Sequence, residues 1–239
     1  MRQRTFNPEG STDLVFIMGW GDRWTYENVR WFIDRLAAAD YRVHAFEIPR
    51  NLRDFKAEWL EPVAEYVVDL DQYHLIGQSN GGLIGQALDG ADHRIYMSPF
   101  WGYPRYYPRV ALDLAAALPT DLPFLPVRYM DRRGIGRSAT DHQIATMPQW
   151  TSPTFVRETR RAQAELLEID HDAVVFCSLS DPLIDLAAIG DRVPPEHVVL
   201  YEGGHELYSS PKRARYVELV LEALAGGADV IAERPAMSV

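Results

Sequence analysis

Short runs of apolar residues alternate along the chain with longer segments of helical periodicity. Six runs are typical of buried β-strands, at residues 13–19, 41–49, 73–77, 93–98, 172–180 and 197–202. The segment between the first two runs has apolar residues at helical spacing, namely Val29, Phe32, Ile33 and Leu36. Further helices are predicted over residues 54–69, with a kink or restart at Pro62, and after Ser79, Asp181 and Pro211. This alternation predicts an α/β fold with a mostly parallel sheet flanked by helices.

One long segment interrupts the alternation. Residues 99–165 are rich in proline, aromatic residues and arginine, show no clear strand pattern, and are too many for a simple loop. We therefore predict an inserted, mainly helical cap at 99–165 and a core made of residues 1–98 and 166–239. A helix over residues 153–170 is expected to lead back to the core, and residues 226–239 are expected to form a frayed tail.

Charge and cysteine content limit the classes of function. The chain has 239 residues, a formal net charge of −10 and an isoelectric point near 5.2. Nucleic acid and anionic membranes require a basic surface and are therefore disfavoured as the main partner. A single cysteine, Cys177, lies in an apolar run, so we expect a buried thiol and no internal disulfide framework.

We expect neither a membrane span nor a signal peptide. No segment has the run of apolar residues needed to span a membrane, and the N-terminal residues lack the apolar region of a signal peptide. We expect a cytoplasmic protein. The histidines are scattered without metal-ligand spacing, so neither a metal nor an organic cofactor is expected. The oligomeric state is left open.

The stretch LIGQSNGGLIG, residues 75–85, places Ser79 between a predicted strand and a predicted helix. Such a turn forces the serine into a sparsely allowed backbone conformation and needs small neighbours, which Gly77, Gly81 and Gly82 provide. The start of the helix also brings unpaired backbone N–H groups close to the serine oxygen. Ser79 is therefore a candidate nucleophile, although a small residue in a glycine-rich turn would give the same local pattern.

A serine hydroxyl needs a base, and neutral histidine is the usual one near pH 7. His205, in EGGHEL, follows the last predicted strand, at the sheet edge where α/β sites form. The other six histidines lie within or beside strands or in the cap segment. Asp181 directly follows the preceding strand and could orient the base, although an aspartate there also suits a helix N-cap. Asp185, one helical turn further, competes for the acid role, and Asp181 is favoured.

These three residues occur in the order serine, aspartate, histidine, each just after a predicted strand. In this the chain resembles the α/β-hydrolase fold proteins: GQSNG matches their nucleophile elbow, SDPLI their acid loop and GGHEL their histidine loop. The resemblance implies a catalytic triad of Ser79, Asp181 and His205. It also implies an oxyanion hole made by the backbone N–H groups of Asn80 and of Trp20, which stands in MGWG. The expected activity is that of a serine hydrolase cleaving a small-molecule acyl ester or thioester.

The chain departs from the pattern of that family at several places. Met18-Gly19 replaces the usual His-Gly, and EIPRNLRDF replaces a glycine-rich loop after the next strand, which leaves the substrate class open. The N-terminal part is short for the usual antiparallel hairpin, so a minimal sheet is expected. The rings of Trp20, Trp101 and Tyr103 are predicted to line the substrate pocket.

The cap segment carries an excess of positive charge. Residues 100–165 contain six acidic residues and nine arginines, namely Arg105, Arg109, Arg128, Arg132, Arg133, Arg137, Arg157, Arg160 and Arg161. These arginines could attract an anionic substrate, but solvated helix faces paired with acidic residues explain them as well and are favoured. Two other functions also fit the sequence: an acyltransferase or carbon–carbon bond hydrolase using the same triad, and a catalytically silent binding protein of the same fold.

Overall fold

A computed structural model describes residues 1–233, and a seven-stranded mixed sheet forms its centre. The strands in chain order are Arg2–Phe6 (β1), Thr12–Ile17 (β2), Tyr41–Glu47 (β3), Tyr73–Gln78 (β4), Ala91–Met97 (β5), Leu125–Pro126 (β6), Trp150–Thr151 (β7), Ala173–Cys177 (β8) and Val198–Leu200 (β9). The large sheet has the order β1-β3-β2-β4-β5-β8-β9, while β6 and β7 form a separate two-stranded antiparallel ladder.

The sheet is parallel except at one edge, where β1 pairs antiparallel with β3. Strand β2 pairs with β3 on one side and with β4 on the other, so the chain crosses β2 between those two strands. The loops that follow β2 and β4 therefore meet at the carboxyl edge of the sheet. In open α/β sheets such a point of reversal is where ligands bind.

Eight α-helices accompany the strands in the described part of the chain. They are Glu27–Ala38 (α1), Glu61–Val67 (α2), Asn80–Gly85 (α3), Arg109–Ala117 (α4), Asp141–Thr146 (α5), Pro153–Ala164 (α6), Leu186–Gly190 (α7) and Arg213–Ala232 (α8). The predicted apolar face of α1 is buried at all four positions. A π-helical turn at Lys56–Leu60 precedes α2, and Pro62 lies in the first turn of α2, so the helix restarts there as predicted.

The six predicted strands and the α/β class are confirmed, whereas the two-residue strands β6 and β7 and the edge strand β1 were not predicted. Its sequence is RQRTF, and only Phe6 of the strand is buried, so the strand carries too few apolar residues to be recognised. As an edge strand it needs only one paired side, and its other positions face solvent.

The prediction of a frayed tail is wrong for residues 226–232. Helix α8 continues to Ala232 past Gly227, whose φ of 66° interrupts the regular helix, because Ala228 and Ile231 are buried beyond it. Residues 234–239, to which the same prediction extended, lie outside the described residues.

Residues 99–165 lie between β5 and β8 and contain α4, α5, α6 and the β6–β7 ladder. We call these residues the inserted segment. The segment is bonded to the rest of the protein: the Asn28 side chain donates to the Ser138 carbonyl at 2.6 Å, and the Gln143 amide donates to both carboxylate oxygens of Glu206 at 2.9 Å. The division into core and cap stays a prediction. No helix within residues 1–233 has the length and apolar character needed to cross a bilayer.

The single cysteine ends strand β8. Cys177 is 3% exposed, and burial raises the pKa of its thiol to about 12. The thiol is therefore a covered packing group at ordinary pH, as its apolar surroundings in the sequence predicted.

Candidate active site

Ser79 occupies a sharp turn between β4 and α3. Its φ of 51° and ψ of −117° lie in a region that residues with side chains rarely adopt. Hydrogen bonds fix the turn on both sides: the Ser79 N–H donates to the Met97 carbonyl, and the Phe100 N–H donates to the Ser79 carbonyl, each at 3.0 Å. The serine is held at the end of a central strand by the neighbouring strand's loop.

Glycines are required around this turn because backbone approaches them closely. A Cβ on Gly81 would lie 2.0 Å from the carbonyl oxygen of Ile17 in β2, and one on Gly77 would lie 2.7 Å from the Cα of Gly82. Backbone atoms cannot move aside as a flexible side chain can, so these positions accept only glycine. The small neighbours that the sequence supplies are thus a steric requirement of the turn.

Asp181 and His205 are brought together from the loops after β8 and β9. The Asp181 carboxylate accepts a hydrogen bond from the Leu183 backbone N–H through Oδ1 at 2.8 Å and contacts His205 Nδ1 through Oδ2 at 2.8 Å. Their side chains are 0% and 7% exposed. Asp185 does not contact His205 but caps α7, accepting from the Ala187 N–H at 3.2 Å. With Nδ1 bonded to Asp181, Nε2 is the nitrogen left to exchange a proton.

The histidine loop is pinned by residues 134 and 135 of the inserted segment. The His205 N–H donates to the Gly134 carbonyl at 2.8 Å, and the Glu206 N–H donates to the Ile135 carbonyl at 2.9 Å. Tyr201 adds a bond from its hydroxyl to the His205 carbonyl at 3.0 Å. The position of the imidazole therefore depends on the inserted segment as well as on the sheet.

Ser79 and His205 line one cavity of about 300 Å³ at the carboxyl edge of the sheet. Its wall is mainly apolar and comes largely from the inserted segment, with residues that include Phe100, Leu112, Leu125, Val127, Met130, Ile135, Met147 and Phe155. Asp181 is not part of the wall and reaches the cavity only through His205. The arrangement is a polar edge on an apolar pocket of the size that small-molecule ligands occupy.

Three further predicted residues also line the cavity, and one does not. Trp20, Asn80 and Tyr103 belong to the wall. Trp20 donates from its indole to the Arg50 carbonyl at 2.8 Å, which fixes the ring, and Tyr103 shares a 2.8 Å hydrogen bond with Thr159. The prediction that Trp101 lines the pocket is corrected: its indole donates to the Gly82 carbonyl at 3.2 Å, so the ring packs behind the serine turn instead.

Two buried carboxyl groups beside the histidine were missed by the sequence analysis. Asp22 and Glu206 both line the cavity, hydrogen-bond each other, and are 4% and 1% exposed. The Tyr208 hydroxyl donates to Asp22 at 2.6 Å, and the Ser209 hydroxyl donates to Glu206 at 2.6 Å. Burial raises the pKa of Asp22 and raises that of Glu206 well above its usual range.

Two carboxylates cannot share a buried hydrogen bond unless one is protonated, so we assign the proton to Glu206. The pair joins the loop that carries Trp20 to the loop that carries His205. Its sequence signal was an acidic residue two positions after Trp20 and another directly after His205.

The arginines of the inserted segment are mostly paired with acids. Six of them form ion pairs, at 2.6 to 3.6 Å, namely Arg105, Arg132, Arg133, Arg157, Arg160 and Arg161. Of all nine, Arg128 alone belongs to the cavity wall. The structure therefore favours the interpretation that most of these charges pair at the surface.

No group of three or more histidine, cysteine, aspartate or glutamate side chains within residues 1–233 is arranged to hold a metal ion. The possible donors at the site are the serine, the histidine and the carboxyl groups described above. A serine hydroxyl, an imidazole and a carboxylate that orients the imidazole are the groups needed to transfer a proton from the hydroxyl to the imidazole.

Comparisons with known proteins agree with the fold. The model of a family described as "Alpha/beta hydrolase family" matches residues 14–218, whereas none of the curated proteins matches the sequence. Among solved structures, the monoacylglycerol lipase of Paleococcus ferrophilus superposes with a TM-score of 0.75 at 14% identity, covering 96% of this chain and 98% of that one.

Two further solved structures are an esterase and a hydrolase. The esterase of Exiguobacterium antarcticum has a TM-score of 0.65 at 13% identity, covering 94% of this chain and 95% of that one. A pyrethroid hydrolase of Sphingobium faniae has a TM-score of 0.59 at 18% identity, covering 91% and 99%. At such identities the likeness shows a shared fold.

Proposed function

The chain belongs to the alpha/beta hydrolase family, and from that premise we propose that it is a serine hydrolase that cleaves a carboxylic ester or thioester. The observation that carries the proposal is the buried 2.8 Å hydrogen bond between His205 Nδ1 and Asp181, on a histidine that lines the same cavity as Ser79. The strained backbone of Ser79 supports it further, because such strain persists where the position of a side chain matters.

In the proposed reaction Ser79 Oγ attacks the carbonyl carbon while His205 Nε2 takes its proton. Asp181 accepts the hydrogen bond from His205 Nδ1–H, which fixes the tautomer and stabilises the imidazolium that forms. The backbone N–H groups of Trp20 and Asn80 hold the developing oxyanion, and two such donors contribute several kcal/mol. His205 then protonates the leaving alcohol or thiol, and water, activated by His205, cleaves the acyl-enzyme.

The cavity supports a substrate with a small or medium apolar group. Its volume of about 300 Å³ is at the lower end of ligand pockets, and Phe155 and Tyr103 give it rigid aromatic surface. Two of the solved structures of the same fold are described as a lipase and an esterase, which is in keeping with an ester substrate.

A fluorophosphonate probe tests the proposal directly, since it labels an activated serine and requires no knowledge of the substrate. The wild-type protein and the control Ser138→Ala, which removes an exposed hydroxyl, are expected to be labelled, and Ser79→Ala is not. Equal labelling of Ser79→Ala, or no labelling of the folded wild type, would leave a silent binding protein as the better reading.

The second step distinguishes hydrolysis from acyl transfer. With an activated ester such as a p-nitrophenyl acylate, the proposal expects free acid as the product at every concentration of added alcohol or thiol. Formation of a new ester or thioester at the expense of acid would identify an acyltransferase that uses the same residues.

A further inference from the structure

Large apolar side chains are exposed mainly on the inserted segment. Of the twelve exposed in the described part of the chain, seven lie within residues 110–150. We call these the outer patch: Val110, Leu114, Leu118, Leu122, Phe124, Tyr129 and Trp150. Val110 and Leu114, one helical turn apart on the same face of α4, are 68% and 66% exposed.

The outer patch covers the roof of the cavity that holds Ser79. Helix α4 has no buried residue, and its Ala111, Leu112 and Ala115 line the cavity while Val110 and Leu114 face solvent. Strand β7 is divided in the same way, since Thr151 lines the cavity and Trp150 is 54% exposed. The roof is thus one layer thick with apolar groups on its outer surface. A concentration of exposed apolar side chains of this kind marks an interaction surface.

The charges around the outer patch are positive after ion pairs are considered. The three acids near it in sequence are paired with arginines: Asp113 with Arg160 at 2.6 Å, Asp121 with Arg53 at 2.5 Å and Asp131 with Arg133 at 3.0 Å. Arg109, at the start of α4, and Arg128, next to Tyr129, are exposed and form no ion pair within residues 1–233. The Arg128 guanidinium lies over the rings of Tyr106 and Tyr129, at 5.4 and 5.7 Å, and keeps its charge there. The chain as a whole has a net charge of −10. The net charge of the whole chain therefore does not disfavour contact between this face and an anionic membrane.

We propose that the outer patch docks the protein reversibly on the surface of an anionic phospholipid membrane. Exposed leucine, valine, phenylalanine and tryptophan enter the boundary of the acyl chains, while Arg109 and Arg128 meet the lipid phosphates. Docking places the roof of the cavity against the lipid, so that an apolar molecule dissolved there reaches the roof without crossing water. The proposal concerns docking and holds whether or not Ser79 is the nucleophile.

Vesicle flotation of the purified protein tests this surface without any turnover. Vesicles of phosphatidylcholine alone are compared with vesicles that also contain phosphatidylglycerol. The wild type is expected to float with the anionic vesicles and to dissociate as salt is raised. Val110→Gln/Leu114→Gln is expected to weaken the partition on the order of tenfold for each side chain replaced. Arg109→Gln/Arg128→Gln is expected to weaken it about fivefold for each arginine, on anionic vesicles only.

The matched control replaces two exposed apolar residues outside the outer patch, Val68→Gln/Leu179→Gln, whose positions are 80% and 72% exposed. This control is expected to float as the wild type does, and far-ultraviolet circular dichroism checks that all variants are folded. Equal flotation of the control and the Val110/Leu114 variant overturns the proposal. A wild type that floats with neither kind of vesicle also overturns it. Sedimentation equilibrium then shows whether the outer patch pairs two copies of the chain instead.

Discussion

Glycine in place of the serine at position 79 is expected to make the folded protein more stable than alanine does. The backbone there has a φ of 51° and a ψ of −117°, and this conformation is imposed by the turn from β4 to α3 whatever the side chain is. Ser79→Ala keeps the Cβ and therefore keeps the strain. Ser79→Gly removes the Cβ and with it most of the strain, and both variants lack the hydroxyl.

The magnitude follows from two opposed contributions. Holding a residue with a side chain in such a region costs about 1–3 kcal/mol. Glycine also has more conformational freedom in the unfolded chain, which reduces the advantage of glycine over alanine by about 0.4–1 kcal/mol. Ser79→Gly is thus expected to exceed Ser79→Ala in free energy of unfolding by about 1 kcal/mol. At Ala64, in the regular helix α2, a change from alanine to glycine is expected to cost about 1 kcal/mol.

Urea unfolding followed by the fluorescence of the six tryptophans measures both comparisons. The prediction requires the glycine variant to have the higher midpoint at position 79 and the lower midpoint at position 64, with unchanged slopes. If alanine were the more stable residue at both positions, the turn would hold no strain. Its positive φ could then not be taken as a sign that the serine is kept there for its chemistry.

Three further changes test other parts of the site. Asp181→Asn is expected to lower kcat for an activated ester on the order of 10³–10⁴-fold, because it removes the carboxylate that orients His205. Asp185→Asn alters only a helix cap and should lower kcat less than about tenfold. Similar losses in the two variants would contradict the assignment of Asp181 as the acid. Gly81→Ala should lower the free energy of unfolding by about 3 kcal/mol, because the added Cβ would lie 2.0 Å from a carbonyl oxygen of β2. Gly190→Ala, whose added Cβ would have nothing within 4 Å, should be neutral or stabilising in the same urea assay. The melting temperature of Glu206→Gln minus that of the wild type should increase as pH rises above 4.5. The reason is that the folded wild type keeps a proton on Glu206 that its unfolded chain has lost, so the wild type loses stability over this range. A difference that does not change with pH would mean that the Glu206 carboxyl is ionised in the folded protein.

Local patterns in the sequence were enough to predict the central strands and the turn at Ser79. The parallel strands contain runs of buried apolar residues, such as 14–17 and 173–177, because helices cover both faces of the sheet. The glycines around Ser79 have a steric cause that acts mostly within a few residues. Strand β1 lacks such a signal, since an edge strand can alternate arginine, glutamine and threonine without cost. The strength of a sequence signal here follows how much of the element is buried.

Contacts between distant segments were beyond the reach of the sequence. Trp101 was assigned to the pocket from its position in an aromatic stretch, yet its indole bonds behind the serine turn. The bond between Asp22 and Glu206 joins residues 184 positions apart in the sequence. Each loop shows an acidic residue, but neither loop indicates that this residue has a partner in the other. The exposed face of α4 could not be predicted either. The helix has apolar residues on both sides, and its sequence does not indicate which side meets solvent.

The buried Cys177 can be used to measure how often strand β8 opens. The thiol sits at the end of β8, four residues before Asp181, and is both covered and held in its unreactive protonated form. An alkylating reagent can modify it only in molecules whose β8 has separated from its neighbours, so the rate of modification measures how often that strand opens under native conditions. The strand that delivers the proposed acid can therefore be timed in the unaltered protein, with no label introduced and no substrate bound.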